Sequence, residues 1–201
     1  MINNYKEFKA FLEKLDSRPK LLLHSCCAPC SSYVITFLDK YFDITIFYSN
    51  DNIYPVSEFD KRLDEEIKFC LNINPNIKVI HDEYVYEDYL NAIKGKEDLG
   101  ERSPRCYECY KFRLEKTAKK AKELGYDYFT TTLSISPHKN STWINEIGNK
   151  LESEYNVKYL YSDFKKEEGY KKSIELSKEY GLYRQDYCGC VYSLNEKSKR
   201  E

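Results

Sequence analysis

Eight cysteines stand at positions 26, 27, 30, 70, 106, 109, 188 and 190 of this 201-residue chain, and seven of them fall into three tight groups. The groups are Cys26-Cys27-x-x-Cys30, Cys106-x-x-Cys109 and Cys188-Gly189-Cys190, so distant stretches must meet if the thiols work together. A secreted disulfide scaffold would be shorter and would open with a signal peptide. This chain opens with MINNYKEFKAFLEKL, a charged amphipathic helix pattern. The stretch Leu21 to Leu38 lacks Lys, Arg, Asp and Glu but carries His24, Pro29, several Ser and three Cys, which argues against a membrane span. The expectation is a cytoplasmic protein with no membrane partner, whose clustered thiols bind metal before they form disulfides.

Charge is nearly balanced, with 32 Lys plus Arg against 33 Asp plus Glu, which excludes a globally polycationic nucleic-acid binder but allows local basic patches. Only 7 Gly and 6 Pro argue against disorder, and 20 Tyr with 10 Phe predict an aromatic core. Short apolar runs alternate with amphipathic stretches. Strands are predicted at Lys20–His24, Ile44–Ser49, Ile77–His81, Tyr128–Thr132 and Val157–Tyr161. Helices are predicted at Ser31–Lys40, Val56–Leu71, Tyr84–Lys94, Cys106–Leu124, Ser141–Glu154 and Glu168–Tyr180. That alternation is the pattern of an α/β, Rossmann-like, three-layer parallel sheet of about five strands. The expected organisation is one catalytic domain over residues 1–201, with an N-terminal helix within 1–19 and a Cys-rich C-terminal tail at 182–201.

In an open parallel sheet, ligands bind beyond the carboxyl ends of the strands. Cys26, Cys27 and Cys30 follow the first predicted strand, Asn50 to Asn52 the second, Ser134 to Lys139 the fourth, and Asp163 to Lys165 the fifth. Extended backbone points Cys26 and Cys27 oppositely, so the two need not serve the same metal. Cys106 and Cys109 enter a helix, where the N-terminus and nearby Arg102 and Arg105 should favour thiolate. Cys70 shares an apolar helix face with Ile67 and Leu71 and is expected to be a buried hydrophobe. Seven thiols exceed the four of one tetrahedral zinc or cubane cluster and fall short of two all-cysteine centres. A cluster plus a second metal fits the count, as do free thiols among the seven. His24 is expected to be a satisfied buried histidine, and His138 to serve a loop. Lys111 to Lys122 holds six basic residues and one acid, either a solvated face or a phosphate-contacting surface. No GxxxxGK[ST] or GxGxxG pattern supports phosphate-loop nucleotide binding.

The motifs His24-Ser-Cys-Cys-Ala-Pro-Cys30, Arg105-Cys-Tyr-Glu-Cys-Tyr110, Phe129-Thr-Thr-Thr-Leu133, Ser136-Pro-His-Lys139, Asp163-Phe-Lys-Lys166 and Tyr183-Arg-Gln-Asp-Tyr-Cys-Gly-Cys190 occur in that order. Together they resemble the QueH family of epoxyqueuosine reductases, from about Leu21 to Ser193. One departure is Asn50-Asp51-Asn52-Ile53, where the family usually has Asn-Pro-Asn-Ile; losing the Pro should free the loop without removing a ligand. The resemblance implies an adenine-nucleotide alpha-hydrolase-like fold. It also implies reductive removal of the epoxide of epoxyqueuosine at the tRNA wobble position, with a 4Fe-4S cluster, a second mononuclear ion (iron or zinc) and no cobalamin. The electron donor is unidentified.

On that premise, Cys26, Cys27, Cys30, Cys106, Cys109, Cys188 and Cys190 divide between cluster and metal, and Asp163 or Asp186 supplies a carboxylate ligand or proton donor. Lys111, Arg113, Lys165 and Lys166 are candidate phosphate contacts, with Lys139 and Arg184 also candidates for substrate binding. Tyr107, Tyr110, Tyr183, Tyr187 and Tyr192 are candidate stacking platforms. The competing expectations are a zinc-stabilised interaction module and a thiol or cluster redox enzyme acting on a small molecule.

Overall fold

The computed structural model describes residues 4–199, so the ends of the expected N-terminal helix region and C-terminal tail, residues 1–3 and 200–201, lie outside it. Five parallel strands form one sheet in the order β3-β2-β1-β4-β5, with β1 Lys20–His24, β2 Asp43–Tyr48, β3 Lys78–His81, β4 Tyr128–Thr131 and β5 Lys158–Tyr159. The central strand explains itself. Leu21, Leu22 and Leu23 are an unbroken apolar run because both faces of β1 are covered. Leu21 and Leu23 join the core under α1 (Tyr5–Leu12), α2 (Ala28–Leu38) and α3 (Val56–Ile73), whereas Leu22 joins the opposite core under α5 (Pro104–Leu124) and α6 (Ser141–Tyr155). α7 (Gly169–Glu179) packs on α2, and the short α4 (Tyr86–Ala92) on α5.

Local chemistry fixes the helix ends. Ser103 caps α5 and Pro104 enters its first turn, while Asn140 accepts from the Thr142 and Trp143 amides at the start of α6. Two elements depart from expectation. The helix expected at Ser31–Lys40 begins three residues earlier, at Ala28, because Pro29 fits the first helical turn. The tail carries a further helix, α8 (Val191–Ser198), too short and polar to signal itself in the sequence. Among the described residues, no helix is long and apolar enough to cross a membrane.

The carboxyl ends of β1, β2 and β4 share one rim. Asn50, Asp51 and Asn52 are buried there. The Pro-to-Asp departure does not free this loop. The Asp51 carboxylate accepts from the Val85 amide at 2.8 Å and from Lys116 Nζ at 2.7 Å, so an ion pair holds what a Pro would have stiffened.

Candidate metal centre

The turn from β1 into α2 builds the first thiol group. Cys27 is the residue before α2, with extended backbone, and the chain then winds into the helix. Extended backbone alone would separate Cys26 from Cys27, but the turn brings their sulfurs to 3.8 Å. The sulfurs of Cys26, Cys27 and Cys30 all lie within 4.8 Å of one another, so the three could hold one metal ion together. Within the group one thiolate is favoured: Cys26 is held low, while burial raises Cys27 and hydrogen bonding with Cys26 and Cys27 raises Cys30.

The second and third groups arrive from opposite directions. Cys106 and Cys109 lie one turn apart at the start of α5, and Cys188-Gly189-Cys190 leads into α8. Cys26, Cys30, Cys106 and Cys188 line one cavity of about 620 Å³, and Cys27, Cys109 and Cys190 are buried. All eight cysteines are free thiols. Cys70 is buried away from the cavity, 4.0 Å from Glu66, as expected, but on the face of Leu63 and Glu66 rather than with Leu71, which is exposed.

Electrostatics splits the thiols. Hydrogen bonds from Cys27 and Cys30 hold the Cys26 thiol well below its usual range, assisted by Arg113. A hydrogen bond from Cys190, and then the Lys139 ammonium, do the same for Cys188. Lys139 Nζ donates to Cys188 Sγ at 2.6 Å, and Gln185 Nε2 donates to Cys27 Sγ at 2.8 Å. Burial instead pushes Cys109 up to about 11. The expected help from Arg102 and Arg105 goes elsewhere. Arg105 is buried, donates to the carbonyls of Glu97 and Leu99, and lies over the Tyr192 ring. Arg102 donates to His138 Nδ1 at 2.8 Å.

Other predicted residues divide between wall and frame. Tyr110, Lys139, Arg184, Asp186 and Tyr187 line the cavity. Hydrogen bonding from Lys197 lowers the Asp186 pKa, so this carboxyl is ionised and is an acceptor rather than an acid. Asp163 is outside the cavity wall and pairs with Lys165 at 2.7 Å. Arg113 is not on a surface that a phosphate can reach. It is 2% exposed, donating to Asn50 Oδ1 and, at 3.3 Å, to His24 Nε2. His24 is the expected satisfied histidine, also bonded to Thr131 at 2.7 Å, and burial followed by Arg113 lowers its pKa to about 3. Lys111 and Lys166 are exposed, whereas Tyr107 packs against Trp143 and Tyr183 against Lys61. Arg102, His138, Tyr170 and Gln185 line the cavity although they were not singled out as site residues. Gln185 and His138 sit inside recognisable motifs, which was the available signal; Tyr170 had none.

The comparisons agree with this geometry. The family model described as Epoxyqueuosine reductase QueH matches residues 21–196. The chain is 44% identical to Epoxyqueuosine reductase QueH of Streptococcus pyogenes serotype M1, covering 90% of this chain and 72% of that protein. It is 40% identical to the protein of the same name in Thermotoga maritima, covering 90% of this chain and 93% of that one. A solved structure titled a predicted subunit of tRNA methyltransferase from Methanocaldococcus jannaschii superposes with a TM-score of 0.51 at 18% identity, over 79% of this chain and 74% of that chain, a likeness of fold alone.

Proposed function

The chain belongs to the QueH family of epoxyqueuosine reductases, and from that premise we propose how its thiols and cavity carry the reaction. It is an oxidoreductase that reduces epoxyqueuosine in queuosine biosynthesis. The reading adopted here is that the base is presented at the wobble position of tRNA and that the epoxide leaves as water, giving the cyclopentene. That conversion takes up two electrons and two protons.

The observation that carries the reading is the shared cavity lined by Cys26, Cys30, Cys106 and Cys188, one or two thiols from each of three distant groups. Its donor set is all sulfur at the core, which suits iron–sulfur and other thiophilic metal groups. The seven clustered thiols would hold a 4Fe-4S cluster and a second metal ion between them, with Glu101 and Asp186 the carboxylates of the wall. When bound, these groups supply single electrons and Lewis acidity toward the epoxide oxygen.

The chain's own residues set the stage. Lys139 is a cation inside the wall, where burial works against its charge but Cys188 and Tyr110 raise its pKa well above the usual lysine range. It therefore stays protonated, favours thiolate at Cys188 and offers a positive field to oxygen that gains charge in the cavity. Tyr110 keeps its phenolic proton because burial raises its pKa. Its hydroxyl, on the cavity wall, is suited to donate to an alkoxide. Arg102 donates to His138 Nδ1, which orients the ring on the cavity wall. Arg184, and Lys111 and Lys166 outside, supply positive charge for the anticodon-loop backbone. Asp163 holds Lys165 and, on this placement, acts on the frame of the site.

The test is direct. Anaerobic protein, loaded with iron and sulfide and supplied with a chemical reductant, should convert epoxyqueuosine-containing tRNA to queuosine-containing tRNA. Binding of that tRNA should weaken steeply as salt rises. Loaded protein that binds the tRNA without turnover under reduction would contradict the assignment.

A further inference from the structure

Arg62 lies outside every motif, yet it is one of the two largest fully buried side chains, 1% exposed. Its Nε donates to Glu58 Oε1 at 2.7 Å, and its Nη2 has no hydrogen-bond partner. The guanidinium lies 5.3 Å over the Tyr187 ring. It also crowds residue 189. Gly189 has φ +122°, and a Cβ there would stand 3.1 Å from Arg62 Nη1 and 3.2 Å from Ile53. The same turn is tied down from behind, because the Tyr54 amide donates to the Gly189 carbonyl at 2.8 Å. So one buried cation abuts the backbone between Cys188 and Cys190.

The first thiol group lies within its electrostatic reach. Burial works to lower the Arg62 pKa, and Cys27 followed by Glu58 outweighs it. Stability alone does not account for such a residue. An i,i+4 ion pair contributes little when exposed, and burying one incurs a desolvation penalty that an apolar side chain avoids. An unpartnered buried N–H adds to that cost.

We propose that Arg62 is a positioning residue of the thiolate centre, a permanent buried cation that locks the Cys188-Gly189-Cys190 turn against Cys27 and sets the reduction potential of the group the thiols hold. The proposal rests on the iron–sulfur reading above. Reduction adds negative charge to a thiolate-bound centre, and a fixed positive charge beside it stabilises the reduced form more than the oxidised form. Glu58 opposes this by compensating part of the same charge. The two residues therefore pull the potential in opposite directions.

The experiment compares wild type, Arg62→Met, Arg62→Lys and Glu58→Gln, purified anaerobically and loaded with iron and sulfide. Iron and sulfide per chain, the thermal melt and the midpoint potential are read on each. Arg62→Met should shift the midpoint to more negative values, Arg62→Lys should recover most of the shift, and Glu58→Gln should move it to more positive values. A purely structural Arg62 would change the melt and leave the potential alone. If Arg62→Met does not fold, the Glu58→Gln shift decides: a positive shift supports the proposal and no shift overturns it. Wild type that binds iron while Arg62→Met and Glu58→Gln keep its potential overturns this inference alone. Wild type that binds no redox-active iron overturns the parent reading and this one together.

Discussion

The loop after β1 and the segment before α8 bring cysteines to the same cavity by opposite means. Cys26, Cys27 and Cys30 sit on the turn from the central strand into α2, where sheet and helix fix the backbone and the sulfurs already lie within 4.8 Å of one another. Leu182 to Cys190 contains no helix or strand. It is held by side chains from elsewhere: Glu65 accepting from the Tyr183 amide at 2.5 Å, Lys139 on Cys188, and Gln185 reaching from the segment to Cys27. The first group is preformed by secondary structure and the third is assembled by tertiary contacts. A site built this way gains its last ligands only when the fold is complete, and its weakest part is its C-terminal strap.

Substitutions can break that contrast, beginning with the largest effect. Cys26→Ser with Cys30→Ser removes the preformed part and should abolish iron binding and lower turnover by on the order of 10²-fold or more, beyond the usual loss on removing an outer-shell partner. Cys188→Ser removes a ligand from the assembled part and should retain some of the iron; iron analysis beside turnover separates the two. Lys139→Met leaves every thiol in place and should lower turnover by roughly 10–100-fold through loss of the cation at Cys188.

Hydrogen exchange sharpens the contrast without mutation. In metal-free protein, amides of Tyr183–Tyr187 should exchange at least about tenfold faster than those of Ser25–Cys30, a gap of ~1.4 kcal/mol in opening free energy. Metal loading should narrow it.

Below the first group lies Glu66, fully buried, with Oε2 unpartnered and its pKa raised to about 8 by burial. Its folded pKa is above the unfolded value, so its neutral form is accommodated at low pH and stability is lost as pH rises toward and through that value. The melting temperature of metal-free wild type should fall between pH 6 and pH 9 by ~3 °C or more beyond the fall in Glu66→Gln. The smallest effect belongs to Cys70. Cys70→Ala should keep full iron content and turnover and cost about 1 kcal/mol in stability.

The same contrast explains what the sequence made legible. β1 and β2 announced themselves because buried parallel strands are largely apolar runs, whereas the helix expected from Cys106 starts two residues earlier, where Ser103 caps it and Pro104 enters its first turn. Cys70 is buried as expected, although the face through Leu71 is not the buried one; His24 was readable from its strand position. Distances across the chain were not. Nothing near Arg113 signalled that it points inward to Asn50 rather than outward to phosphate, because a basic helix face and one buried Arg look alike in a charge count. Asp51 was read as a loosened loop because its partners, Val85 and Lys116, lie far along the chain. Arg62 gave no signal because its role exists only where α3 and the strap meet the thiols, and Gln185 had only its place in a motif.

The most direct test of the central claim is metal and sulfide analysis, with an absorption spectrum, on anaerobically purified protein whose epoxyqueuosine-tRNA turnover is measured on the same sample. The account predicts a brown protein with about four iron and four sulfide per chain, a further metal ion, and turnover that tracks iron content. A colourless protein that carries only zinc, and stays so after cluster reconstitution, would contradict it.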